Sequence, residues 1–115
     1  MVVNNIIIRP ICEKDCDFVV ETNRDNVEVL SPMDEERMRM LKPMCELFLV
    51  AEVEGTPAAF LMALREGAKD YDSENYRWFA QRYEKFLYVD RVVIADPYRH
   101  RGIGRRLYEA VFAHA

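Results

Sequence analysis

The chain has 115 residues, half of them hydrophobic, with 16 basic against 20 acidic side chains and a net charge of −4. That length builds one small domain with a real core, and the composition excludes a disordered chain. The acidic balance disfavours a general nucleic-acid or anionic-membrane role; no apolar run approaches the roughly 18 residues of a membrane helix, and Met1 to Asn5 lacks the basic flank and apolar core of a signal peptide. A cytoplasmic location is therefore the expectation.

The first element is a short strand, Ile6-Ile7-Ile8, ended by Arg9-Pro10. Cys12, Cys16, Val19, Val20 and Val27 then keep helical spacing, which predicts a helix from Glu13 to about Glu28 with Asp15 and Asp17 at its favourable N-terminal end. Cys12 and Cys16 sit four apart with no His or second Cys pair to complete a zinc site, and three cysteines cannot all pair, so buried thiols and no metal are expected. Ser31-Pro32 has the chemistry of a helix cap and first turn, and Met33, Met38, Leu41, Met44 and Cys45 supply an apolar face that reads as adaptable core packing.

Leu47 to Val53 and Pro57 to Leu64 read as two strands, and Glu54-Gly55-Thr56 between them has hairpin spacing. A polar stretch from Arg65 to Asn75 follows, and then Tyr76, Phe79, Ala80 and Tyr83 hold helical spacing behind Ser73 as a cap. Phe86 to Ala95, rich in β-branched and aromatic residues, reads as a strand stopped by Asp96-Pro97. Ile103, Leu107, Ala110, Val111 and His114 mark a last helix, with Arg105, Arg106 and Glu109 on its other side.

Between that strand and that helix runs Arg99-His100-Arg101-Gly102-Ile103-Gly104-Arg105-Arg106. Two glycines let a backbone come close to a ligand, and a helix beginning there aims unpaired N–H groups and a positive dipole end at the same point. This is the chemistry of a phosphate site. A Walker-type loop would need Gly-Lys-Ser/Thr, and a dinucleotide fingerprint would need a third glycine near the first strand; neither is present.

The run Val92-Val93-Ile94, then Pro97-Tyr98-Arg99, then Gly102-Ile103-Gly104 resembles the acetyl-CoA loop of GNAT-type N-acetyltransferases. The order of the predicted elements resembles that family over the whole chain. The resemblance implies an α/β (α+β) fold with a mostly antiparallel central sheet flanked by helices. Against that resemblance, residues 1–115 read as a single domain that is C-terminally incomplete, lacking the family's C-terminal strands and helix and the tyrosine that usually protonates the leaving thiolate, so weak or no turnover is expected from this chain alone. Acetyl-CoA is the implied cosubstrate, with no metal: main-chain groups of Val92, Val93 and Ile94 would take the pantetheine arm. The N–H groups from His100 through Arg101, Gly102, Ile103 and Gly104 to Arg105 would take the pyrophosphate, and the Arg99, Arg101, Arg105 and Arg106 side chains would add attraction. The acceptor would be an amine of a small molecule or peptide, without nucleic acid or membrane; a homodimer stays open.

Asp90 is the only carboxylate within the last strand, and relatives often place an acidic residue there that draws the amine proton through water. Burial raises a carboxylate's pKa, the direction a base needs. An ion pair with Arg91 or another arginine is the competing role. Tyr88 shares the face of Asp90 by strict alternation, at the position where the histone-modifying branch keeps its glutamate, and tyrosine makes a poor general base. Glu66, Asp70, Asp72 and Glu74 with Tyr71, Tyr76 and Trp78 could line a site for a cationic amine, although charge runs are usually solvated surface. Two other functions compete with catalysis: a non-catalytic CoA-binding or regulatory module with the same fold, and an anion or nucleic-acid binder built on the loop arginines, which would show steep salt dependence.

Overall fold

The computed structural model describes residues 6–26, 33–68, 71, 73–99 and 102–114. Four strands, β1 (Ile6–Pro10), β2 (Leu47–Val53), β3 (Thr56–Arg65) and β4 (Leu87–Ile94), form one sheet in the order β1-β2-β3-β4, antiparallel throughout. Helices α1 (Cys16–Arg24), α2 (Glu35–Leu41) and α3 (Glu74–Arg82) supply side chains to one face, and α4 (Ile103–His114) to the other. None of the helices among the described residues is long and apolar enough to cross a membrane.

Strand alternation sorts the core into two layers. Phe48, Val50, Phe60, Met62, Leu64 and Val93 meet Val19, Met38, Leu41 and Tyr76 on the first face. Leu49, Ala51, Ala59, Leu61 and Ala63 meet Ile103, Leu107 and Val111 of α4 on the second. The buried strand alanines, Ala51, Ala58, Ala59 and Ala63, all lie on the second face, so a helix can come close to the sheet there. The β2–β3 hairpin turns on Glu54 and Gly55 at φ 52° and 83°, the two positive values a type I′ turn demands and the reason a glycine belongs there.

The first helical segment departs from its predicted extent. It begins as a 3-10 turn at Glu13–Asp15 and ends at Arg24, where the Asn26 amide donates to the Thr22 carbonyl at 2.8 Å and so satisfies a last-turn acceptor. Val27, Glu28 and the Ser31-Pro32 cap lie outside the described residues; α2 is instead capped by Asp34, whose carboxylate accepts from the Arg37 amide at 2.8 Å. Cys12 is exposed rather than buried, while Cys16 and Cys45 are half-buried. Burial pushes the Cys45 thiol up to about 12, helped by the nearby Asp90 charge, so this sulfur stays protonated and unreactive at neutral pH. Ser73 caps α3 as its position predicts, accepting from the Tyr76 amide at 3.3 Å.

Candidate functional site

Strand β4 is the edge of the sheet among the described residues, paired with β3 alone, so its outer main-chain groups face away from the other strands. A 3-10 turn at Asp96–Tyr98 carries the chain off β4, and α4 starts at Ile103. Gly102 has φ 76°, a left-handed conformation that side-chain-bearing residues rarely adopt, and its carbonyl accepts the first helical bond of α4, from the Arg106 amide at 3.2 Å. The amides of Ile103, Gly104 and Arg105 precede that bond, in the first turn, where helix N–H groups characteristically lack an intrahelical acceptor. Ile103 is buried beneath them and fixes the helix start against the sheet.

Gly104 has a different function. A methyl group built on it would lie 3.3 Å from Ile94 Cδ1, so the glycine lets the first turn of α4 sit directly on the end of β4. Val92 and Ile94 pack on the α4 face and Val93 on the opposite one, so all three expected pantetheine positions bring their main chain to the same edge as the loop.

Two of the loop arginines that the structure describes turn their side chains elsewhere. Arg99 donates to the Ile94 carbonyl at 3.3 Å and to Asn26 Oδ1 at 2.7 Å, which ties the end of β4 to the end of α1. Arg105 is 86% exposed and pairs with Glu109 one turn on, at 3.3 Å, as a solvated surface pair does. His100 and Arg101 lie outside the described residues.

Asp90 sits at a β-bulge. Ala63 faces Val89 and Met62 faces Arg91, leaving Asp90 as the extra residue of β4. Strict alternation would put Val92 and Ile94 on the face of Tyr88 and Asp90; the bulge shifts them to the α4 side while Tyr88, Asp90 and Arg91 stay with α1 and α3. Both carboxylate oxygens of Asp90 are engaged: Oδ2 by Arg91 Nε at 2.6 Å, Oδ1 by the hydroxyl of Tyr71. Arg91 Nη1 continues to Asn23 Oδ1 at 2.9 Å on α1. The side chains of Asp90 and Arg91 are only 6% and 5% exposed. Partners of this kind are what a buried charge requires. Burial and the Asp90 carboxylate both raise the Tyr71 phenol above its ordinary pKa, so it keeps its proton. The same two causes raise Tyr88.

The acidic and aromatic residues after β3 do not gather into one amine pocket. Tyr76 is core, its hydroxyl accepting from the Ala68 amide at 3.0 Å and donating to the Arg65 carbonyl. Glu66 accepts from the Phe86 amide at 3.2 Å. Trp78 is exposed and lies under the Arg82 guanidinium, 4.0 Å from ring centre to carbon. Asp70 and Asp72 lie outside the described residues. What the segment does form is an open cleft of about 600 Å³ whose wall includes Cys45, Glu46, Arg65, Glu66, Gly67 and Ala68. A smaller cavity of about 120 Å³ shares Gly67 and Ala68 with it and reaches Tyr71. Among the described residues no three His, Cys, Asp or Glu side chains converge as a metal site needs.

Asn23 belongs to the buried network and is the residue that sequence reasoning missed. Its signal was available: it lies four after Val19, on the buried stripe of α1, where an amide must have a partner.

No curated protein matches the chain significantly. Among solved structures it is similar to one described as "a possible acetyltransferase from Clostridium difficile 630", at 20% identity and a TM-score of 0.66, over 94% of this chain and 69% of that one. Residues 14–115 match the acetyltransferase (GNAT) family model. The antiparallel sheet, the Gly102–Gly104 opening of α4 beside the β4 edge and this match agree: the chain belongs to the acetyltransferase (GNAT) family.

Proposed function

We propose that the protein transfers an acetyl group from acetyl-CoA to a primary amine of a small molecule or peptide by direct attack. The observation that carries this reading is the convergence of three features at the end of β4: the edge main chain of Val92, Val93 and Ile94, the positive φ of Gly102, and the first turn of α4 at Ile103, Gly104 and Arg105. The residues fit the cosubstrate. An extended pantetheine arm can pair with the strand edge, and a pyrophosphate can take the helix amides together with the N–H groups of His100 and Arg101. Charge-assisted bonds contribute about 1.5–3 kcal/mol each, so four or five support micromolar affinity after ordering costs. The Arg99 side chain contributes by bracing the Ile94 carbonyl, and Arg105 through its amide rather than its guanidinium.

In the transfer, the neutral amine nitrogen attacks the thioester carbonyl, the C–S bond breaks, and the thiolate leaves and takes up a proton. Holding the thioester on the β4 edge lowers the entropic part of the barrier, and Asp90 takes the amine proton. A non-catalytic CoA-binding module is the second reading, favoured by the buried Asp90–Arg91 ion pair, which would be as useful to a purely structural carboxylate.

Calorimetric titration with acetyl-CoA, with ATP and inorganic phosphate as controls, tests the cosubstrate. Selective micromolar binding of acetyl-CoA is expected, and Gly102→Val abolishes it by resisting the positive φ and crowding the phosphates. A folded Gly102→Val chain that binds like the parent would remove the loop assignment. Asp90→Asn then separates the readings: loss of transfer with binding retained supports catalysis, whereas undiminished transfer at every pH leaves Asp90 a structural residue.

A further inference from the structure

If Asp90 takes the amine proton, the proton needs a path to it, and the geometry restricts that path. Oδ2 is closed by the Arg91 guanidinium, which cannot lose a proton, and the carboxylate is almost wholly buried. Oδ1 is held by the Tyr71 hydroxyl, which can both give and accept a proton. Tyr71 in turn borders the cavity of about 120 Å³ that shares Gly67 and Ala68 with the open cleft. That cavity has room for a short chain of water molecules, each of which needs about 10–15 Å³.

We infer that Tyr71 is a proton relay between the acceptor amine, entering from the cleft beside Gly67 and Ala68, and the carboxylate of Asp90. The inference rests on the acetyltransferase reading above. In the relay step, water takes a proton from the substrate ammonium and passes one to the Tyr71 oxygen, while the Tyr71 hydroxyl proton moves to Asp90 Oδ1. The amine is left neutral and Asp90 protonated, and the proton returns to solvent by the same path after transfer. Arg91 and Asn23 are positioning residues: they hold the carboxylate with Oδ1 turned to Tyr71. Among the described residues, the charged and titratable groups facing the pair are Arg91 and Tyr88 of β4, Cys45 before β2, Arg37 of α2 above the Tyr71 ring, and Tyr76 of α3 against its edge. The raised pKa of Tyr71 keeps it in the protonated form that a relay requires.

The test compares two acceptors at neutral pH: benzylamine, which carries its extra proton there, and hydroxylamine, which does not. Tyr71→Phe keeps the ring in the core and removes only the hydroxyl. The expected result is a kcat loss of about 10- to 100-fold on benzylamine, little loss on hydroxylamine, and an unchanged KM for acetyl-CoA. Asp90→Asn should show the same split, and the double variant should be no worse than either single one. Raising the pH until benzylamine is neutral in solution should restore the Tyr71→Phe rate. Equal losses on both amines, or no loss on either, overturn the relay while leaving the acetyltransferase reading intact. A parent that binds acetyl-CoA selectively but acetylates neither amine overturns the relay alone, and a parent that does not bind acetyl-CoA overturns that reading and the relay with it.

Discussion

Two glycines two positions apart do unlike work in this loop, and only one half of that division shows in the residue pattern. Gly102 supplies the backbone angle, and a Cβ there would meet nothing within 4 Å; Gly104 supplies clearance, with Ile94 Cδ1 at 3.3 Å from where its Cβ would stand. Gly102→Ala should therefore cost stability through its φ alone, about 1–2 kcal/mol. Gly104→Ala should gain up to about 1 kcal/mol of helix propensity, offset by the small shift asked of the Ile94 side chain, and come out within about 1 kcal/mol of the parent. Urea unfolding of the two variants measures the difference, and a Gly104→Ala chain less stable than Gly102→Ala would show that the contact with Ile94 is rigid. The residue types at 102 and 104 mark a Gly-x-Gly turn into a helix, but which glycine bends and which gives room depends on the packing of α4 on β4.

Elements with strong periodicity were legible, while those interrupted by polar contacts were not. The β2–β3 hairpin, the Ser73 cap of α3 and the Ile103, Leu107, Val111 stripe of α4 all follow from spacing, because burial of a single face imposes it. The bulge at Asp90 does not: Val89-Asp90-Arg91 reads as an ordinary alternating run, and only pairing with Met62 and Ala63 reveals the extra residue. Likewise Tyr76 reads as one aromatic on an amphipathic helix, yet its hydroxyl accepts from the Ala68 amide and donates to the Arg65 carbonyl, fastening the segment after β3 to α3. Tyr76→Phe keeps the ring packed and leaves both backbone groups without this partner. A loss of about 1–3 kcal/mol is expected, with faster hydrogen exchange at the Ala68 amide. An unchanged unfolding free energy would mean that the segment is held by its apolar contacts alone.

At the scale of the whole molecule, the N-terminal strand is fastened by charge as well as by ladder bonds. Arg9 on β1 makes a two-pronged bond to Asp15, at 2.7 and 2.9 Å, and a third to Glu52 on β2 at 2.8 Å, so one guanidinium joins two strands and the turn that opens α1. Helix-end position alone predicts a dipole-stabilising role for Asp15; its complete burial and the Cys12 amide donating to it at 2.9 Å make it the anchor of that turn instead. The Arg9 bonds hold the Asp15 carboxyl at about 2, below its usual 3.8, against the opposing effect of burial. A depressed native pKa means the unfolded chain takes up the proton first as pH falls. The stabilisation is therefore complete above about pH 4 and lost progressively toward pH 2, amounting to about 2 kcal/mol. Asp15→Asn removes the charge but keeps a side chain of the same shape, and should be less stable than the parent by at least that amount at neutral pH. Chemical unfolding of both chains between pH 7 and pH 2 would show the two free energies converging as the parent's carboxylate is protonated. A gap that stays constant to pH 2 would place the stabilisation in packing around the turn rather than in the ion pair, and β1 would then be held to β2 by its ladder and apolar contacts.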